Sequence, residues 1–446
     1  LTPTLGVKMG SVNRPSAGLK TQEGGAAVKV SPINTLRRAV LCCMLWEDTY
    51  YKTATEIVKM IRENAMKVSA EDLRVVMFEA KFNSKLRHTP LFLVCIQAER
   101  RELKAATVAQ FCTRPDDMTE LLSLWWKDGK RPIPSQMRKG LALAFKKFDA
   151  YQIQKYNRDK AVKLRDVLML VRPKPDNEEQ SKLWKSLLEK TLAPANTWET
   201  KLSGGADAKQ TFETLITEKK LGSLAFLRNL RNIVQADVPA AVIRKGFETL
   251  NFQKILPFQF IAAARHNPNL EPLIEKRMLE ALRGMFDIAG DNVLLVDVSG
   301  SMDSKLSDKP ELRRLDAACG LAILLRAACV NIRVFTFSDG IVEVPARGGF
   351  ALRDAICASQ PMGGTRLGLA VKYVNDNVKP DRLFVLTDEQ SADAVPSPLG
   401  TGYMINVASE ACSVGFGRWN RVFGWSENVV SFIVELERQA LQGEAT

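Results

Sequence analysis

From Ile33 to about Met285 the apolar residues fall repeatedly at helical spacing, with polar residues between them. Thr53–Ile61 joins a capping signal to such a run. Further helices are expected over 106–112, 118–126, 137–148, 182–192, 212–218, 240–250 and 271–282. Prolines and glycines separate them, as in Arg131-Pro132-Ile133-Pro134 and Arg172-Pro173-Lys174-Pro175. Strand signal is almost absent here, and no strict sequence period recurs. Irregular helical pairs stacked as a HEAT-like solenoid therefore fit better than a regular tetratricopeptide or ankyrin array. After Met285 the rhythm changes. Apolar runs at 293–296, 332–337, 383–386 and 403–407 read as strands, and 341–344 as an edge strand. Helical segments at 311–329, 350–358, 367–375 and 427–441 alternate with them. That alternation predicts a mostly parallel, doubly wound sheet with helices on both faces. The fold class is thus α followed by α/β. Residues 1–30, rich in Gly, Ser, Thr, Pro and Lys, read as an extended or mobile arm.

Composition supports two folded parts of opposite character. At 446 residues and 46% hydrophobic, the chain is long enough for two or three packed domains. It carries 63 basic and 50 acidic side chains, a formal net charge of +13. Residues 1–285 hold 48 basic and 30 acidic groups, whereas 286–446 hold 15 and 20. Within the first part, residues 127–174 carry 14 basic against 4 acidic groups. A concentration of that size is the electrostatic footprint of a polyanion partner, here nucleic acid.

Eight cysteines, at 42, 43, 95, 112, 319, 329, 357 and 412, include no Cys-x-x-Cys pair. They read as small buried hydrophobes in a reducing compartment, without a zinc framework. No apolar run approaches the ~20 residues of a membrane span, and the start of the chain lacks a basic-then-apolar signal pattern. A cytoplasmic setting with no membrane partner is expected.

Candidate chemistry begins where the strand Val293–Val296 runs into Asp297-Val298-Ser299-Gly300-Ser301. One carboxylate and two hydroxyls alternate at a strand end, the sheet edge at which open α/β folds gather ligands. Alone, such a stretch is most often a turn. Here Gly363-Gly364-Thr365 and then Leu383–Leu386 with Thr387-Asp388 follow in order. Asp297, Ser299, Ser301, Thr365 and Asp388 make a five-residue set of hard oxygen donors from three loops, suited to one Mg²⁺. This part, roughly Ala289 to Gln442, resembles the von Willebrand factor A domain, whose metal-ion-dependent adhesion site has the same pattern. Many relatives carry Thr-Asp-Gly where this chain has Thr387-Asp388-Glu389. Glu389 is expected to add a negative charge beside the cation and to bias the choice of partner.

The second informative stretch runs from Gln136 to Pro175. Arg138, Lys139, Lys146 and Lys147 lie on or just after an amphipathic helix, followed by Lys155, Tyr156, Arg158, Lys160, Lys163 and Arg165, then Arg172 and Lys174. The cations suit phosphates, and Tyr156 or an arginine plane suits an unpaired base. Lys155-Tyr156-Asn157-Arg158, then Leu164-x-Asp166-Val167-Leu168 and Pro173-Lys174-Pro175 resemble the Ro ribonucleoprotein autoantigen family, as do Leu227-Arg228-Asn229-Leu230 and Leu256-Pro257-Phe258. The order of helical part and metal-site part matches as well.

The resemblance implies a TROVE-type closed ring of helical repeats over 31–285, a von Willebrand factor A-type domain over 289–446, and an RNA-binding protein. It implies small noncoding Y RNA on the outer surface, single-stranded 3′ ends of misfolded RNA through the hole, and tethering to an exoribonuclease such as polynucleotide phosphorylase. Lys155 and Arg158 match basic contacts of the family pattern. The family commonly has a histidine before Pro-Lys-Pro, and this chain has Arg172, which stays charged at every physiological pH.

Other residues stand nearer to structural roles. His88 reads as a packed helix-end residue, His266 as a cap before Asn267-Pro268, and Trp125-Trp126 as fillers of helix interfaces. Arg228 is open between RNA contact and salt bridge. The expected protein is a non-enzymatic RNA binder in RNA quality control, whose A domain takes a carboxylate from an unidentified protein through Mg²⁺. A Mg²⁺-dependent adaptor gripping proteins with both parts is the rival, and the excess positive charge of the first 285 residues argues against it. A metal-dependent hydrolase on Asp297 and Asp388 lacks a base or nucleophile near the motif.

Overall fold

The computed structural model describes residues 15–21, 24–29, 31–42, 53–193, 205–253, 255, 257–283, 287–306, 312–408, 412–415, 417–424, 429–430, 433–434 and 437. By its contacts the chain divides into two compact units: Ile61–Leu215, and Leu1–Met60 together with Ile216–Thr446.

Every regular element described within Ile61–Leu215 is helical. His88–Glu99 is apolar almost all round, with Thr89 through Gln97 buried, so it forms a hub instead of a surface helix. It packs on Pro115–Trp125, while Ala105–Phe111 packs on Ser135–Phe145. The second pairing is close because Gly140 has no side chain. A Cβ there would lie 2.4 Å from Val108 Cβ. Ser135–Phe145 buries Met137, Gly140, Leu141, Ala144 and Phe145 and leaves Arg138 and Lys139 exposed, as its sequence pattern requires. Helices lie at the predicted places, with boundaries shifted by a few residues: Leu164–Val171 packs against both Ser135–Phe145 and Glu178–Glu189.

The other unit contains the sheet. Six strands run in the order β5 (Ile341–Val344), β4 (Cys329–Phe337), β3 (Ile288–Asp297), β6 (Arg382–Thr387), β7 (Thr401–Asn406) and β9 (Trp419–Phe423). All neighbours are parallel except β5, which pairs antiparallel with β4 at the edge. The chain moves from β3 outward to β4 and β5, then returns to the other side of β3 for β6. The carboxyl ends of β3 and β6 thus face the crevice at a topological switch point, where such sheets bind ligands. Register fixes the detail: Val296 lies opposite Leu386, which sets Asp297 beside Thr387 and Asp388 one residue further on. Arg314–Ala328 is buried nearly along its whole length, and Val293, Leu295, Phe335, Val371, Val385 and Met404 share one core cluster.

Helices of this unit pack a ring cluster of Phe226, Phe247, Phe252 and Phe260, with centroids 5.0–6.3 Å apart. The last strand was not evident in the sequence, where Tyr403–Val407 read as the final one. The expected helix 427–441 lies largely outside the described residues.

The start of the chain differs from a mobile arm. β1 (Pro15–Lys20) and β2 (Ala26–Lys29) form a hairpin, and β2 pairs antiparallel with β8 (Cys412–Ser413) through Val28 and Ser413. The Thr21 hydroxyl donates to Ser391 O at 2.6 Å, and Gly25 approaches the same carbonyl so closely that a Cβ would sit 2.1 Å from it. Extended backbone is thus anchored by ladder hydrogen bonds to residues near the other end of the sequence. Of the cysteines, 95, 112, 319 and 329 are buried free thiols, whereas Cys357 is exposed. The side chains of 42, 43 and 412 lie outside the described residues.

Candidate metal centre and nucleic-acid interface

Asp297 ends β3 fully buried. Its Oδ1 accepts from Ser299 N–H at 2.9 Å and its Oδ2 from the Thr387 hydroxyl at 2.7 Å. Burial and the neighbouring Asp388 carboxylate push its carboxyl up to about 7, against the pull of those hydrogen bonds. The Ser299 and Ser301 hydroxyls lie 3.3 Å apart. The loop bearing Thr365, itself buried, is tied to the first loop by Gly300 N–H donating to Gly363 O at 3.1 Å. A Cβ at Gly363 would displace the exposed Asp339 carboxylate, whose Oδ2 lies 2.0 Å from that position. Ser338 holds the same loop, its hydroxyl accepting from Gly363 N–H at 2.8 Å.

The donor chemistry fits a hard cation. Two buried carboxylates in Coulombic contact and hydroxyls from adjacent loops offer oxygen only. Among the described residues no three Asp, Glu, His or Cys side chains cluster as a metal site, so hydroxyls would have to supply much of the shell.

Two residues change the expected electrostatics. Arg314, buried at the start of Arg314–Ala328, donates from Nη1 to Asp388 Oδ2 at 3.1 Å. It neutralises part of the site from within the protein, and nothing in the pattern around Arg313-Arg314 singles it out. Glu389 is not the extra surface charge expected beside the cation. It is fully buried, and its carboxylate pairs with Arg38 and, at 3.1 Å, with Arg421 Nη1. Asn406 Nδ2 donates to it at 2.8 Å, and Val414 N–H at 3.0 Å. Burial opposes its ionisation, but the Arg38 and Arg421 guanidiniums hold it below the ordinary carboxylate range. Its charge is thus spent inside the protein and cannot bias a partner.

The basic candidates lie mostly in Ile61–Leu215, and they do different things. Arg138, Lys139, Arg158, Lys160 and Lys174 are exposed. Lys163 pairs with Asp159, and Lys146 with Asp176. Lys147 donates to Cys112 O at 2.8 Å and to Ala109 O, which caps the end of Ala105–Phe111. Burial lowers the pKa of that ammonium. Tyr156 closes Ala150–Tyr156 with the Arg114 guanidinium 4.5 Å from its ring centroid, so an arginine already occupies the stacking partner's role. Lys155 Nζ stands 5.9 Å from the same ring. Arg165 is half-buried. Arg172 adopts a left-handed backbone, φ 47°, at the end of Leu164–Val171. Arg228 is exposed on Ser223–Gln235, in the other unit.

His88 is half-exposed and its Nδ1 lies 2.8 Å from Glu120 Oε1. His266 ends its helix before the short turn Pro268–Leu270. Trp125 is buried, with Arg131 stacked 3.5 Å from its ring centroid.

A helix-rich N-terminal region joined to a six-stranded, mostly parallel sheet domain defines the class of protein. Residues 190–285 match the family model of the TROVE domain. Among solved structures, the chain is similar to the crystal structure of the Deinococcus radiodurans Ro (RSR) protein. The TM-score is 0.59 at 16% identity, over 90% of this chain and 98% of that one. No curated protein sequence matches the chain. The family match is confined to residues 190–285, and the structural likeness, at 16% identity, is one of fold.

Proposed function

We propose that this is a non-enzymatic RNA-binding protein of the Ro ribonucleoprotein type, acting on noncoding and misfolded RNA. The observation that carries this reading is the set of exposed cations Arg138, Lys139, Arg158 and Lys174, none paired with a carboxylate among the described residues, with exposed Lys160 beside them, in a chain with a TROVE match. Cations not spent on internal carboxylates are the ones free to neutralise phosphates. Y RNA is the proposed ligand of this basic face, and single-stranded 3′ ends are proposed to pass through a ring of the helical repeats. An exoribonuclease that degrades such ends is the proposed partner, and the cytoplasm the proposed setting.

The sheet domain is proposed as a von Willebrand factor A-type module whose Asp297, Ser299, Ser301, Thr365 and Asp388 hold Mg²⁺. When bound, the ion would offer an open position to a carboxylate from a protein ligand. The chain's own part is to orient these donors through Thr387, Ser338 and the Gly300–Gly363 contact, and to offset Asp388 with Arg314.

Two measurements test the reading. Replacing Arg138, Arg158 and Lys174 together by Ala should weaken binding of a structured RNA with a single-stranded tail by at least about tenfold, given ~1.4 kcal/mol per decade. Unchanged affinity would refute the basic face and favour a protein-gripping adaptor. Separately, Mg²⁺ should raise the melting temperature of the native protein and leave Asp297→Ala unaffected, with RNA affinity retained. An equal shift in both would remove the metal from this site.

A further inference from the structure

We propose that a cavity beside the basic module receives an unstacked nucleobase of the bound RNA, an inference that rests on the RNA-binding reading and deepens it. The cavity, about 870 Å³, is lined mainly by Trp126, Val162, Leu168, Pro173, Trp184 and Leu188, with Lys130 and Arg172 also contributing. It lies wholly within Ile61–Leu215. It is open to solvent, and a groove of this volume is ligand-sized.

Its polar chemistry narrows the occupant. Trp184 is 4% exposed, and its Nε1–H has no hydrogen-bond partner among the described residues. A buried donor left unpaired by the protein is unusual and calls for an acceptor from elsewhere. Phe145 holds the indole edge-on, 5.9 Å between centroids at 82°. Trp126, by contrast, spends its N–H on Arg131 O at 2.9 Å, leaving its ring as wall. A nucleobase matches both features: flat apolar faces for the Trp126 ring and aliphatic walls, and ring-nitrogen or carbonyl acceptors on its edge for Trp184.

Charge selects nucleic acid over peptide. Lys130 and Arg172 are exposed cations of the lining, within the stretch 127–174 that holds 14 basic and 4 acidic groups. The one acidic lining residue, Asp166, already accepts from Lys163 N–H at 2.9 Å. Arg172 adopts its left-handed conformation immediately after the helix, so that it and Pro173 both reach the cavity. Phosphates flanking the inserted base would meet Lys130 and Arg172.

The test uses the full chain and three probes: single-stranded oligoadenylate, an abasic ribose-phosphate oligomer of equal length, and an acidic leucine-rich peptide. The native protein should prefer oligoadenylate over the abasic oligomer by about tenfold, within the range for stacking one base. Trp184→Phe, which keeps the ring and removes the donor, should reduce that preference several-fold and leave abasic binding unchanged. Leu188→Gln, at a position exposed to solvent and so harmless to folding, should do the same. Equal binding of both oligomers would overturn the base pocket while leaving phosphate-driven RNA binding intact. A preference untouched by both substitutions would place base stacking elsewhere and overturn it too. Tight peptide binding that displaces oligoadenylate and falls with Leu188→Gln would assign the cavity to a protein. Binding of neither oligomer would defeat the RNA reading itself.

Discussion

Glu389 occupies a backbone position with φ 59° that suits glycine. A left-handed residue with a side chain costs roughly 1–2 kcal/mol, and here the carboxylate offsets it by meeting two buried guanidiniums. Glu389→Gly would relieve the backbone but leave Arg38 and Arg421 facing each other without an anion. We expect Glu389→Ala to destabilise by about 3–5 kcal/mol, the usual range for breaking a buried pair, measured by urea unfolding. A loss under about 1 kcal/mol, the surface-pair range, would contradict the assigned network. Arg314 makes the converse case. Arg314→Met should increase the stabilisation proposed for Mg²⁺, because an uncompensated Asp388 leaves a cation more charge to neutralise. A smaller Mg²⁺ effect on melting temperature would mean that Arg314 helps to hold the ion's site open. The motif residues were legible because carboxylate and hydroxyl positions at a strand end are fixed by local spacing. Arg314, Arg38 and Arg421 were not, because their partners lie far away in sequence and only the fold brings them together.

Among the elements, the central strands could be read directly: Val293–Val296 and Leu383–Leu386 are apolar on both faces, as buried parallel strands must be. Their adjacency could not, since either could have flanked β4. The switch point that joins Asp297 to Asp388 is a property of strand order, which local pattern leaves open. β1 and β2 escaped notice for a related reason. Pro-Ser-Ala-Gly-Leu-Lys has little strand character, and its pairing is completed by β8, near the opposite end of the chain. In the helical unit the amphipathic pattern of Ser135–Phe145 predicted its buried face, but the role of Gly140 depends on Ala105–Phe111. Gly140→Ala should cost about 1–3 kcal/mol by overpacking, despite alanine's better helix propensity. A stabilised variant would show that the two helices separate without penalty. Of the basic residues, the sequence could list the cations but not sort them: Lys147 serves as a helix-end donor and Tyr156 sits against Arg114.

Over the whole chain, charge divides as function is proposed to divide. Residues 1–285 carry 48 basic and 30 acidic groups, and 286–446 carry 15 and 20. The basic part is suited to a phosphate backbone, and the switch-point crevice of the other to a cation and a carboxylate ligand. Because phosphate neutralisation releases counterions, RNA affinity should fall linearly with the logarithm of salt, by about 0.7 per phosphate contact on a single strand. The direct test of the central claim is a salt titration of the native protein with one structured RNA, carrying or lacking a single-stranded 3′ tail. Tail-dependent binding with a slope of several phosphate contacts, reduced when Arg138, Arg158 and Lys174 are replaced by Ala, is the predicted result. Weak binding indifferent to both tail and salt would contradict it.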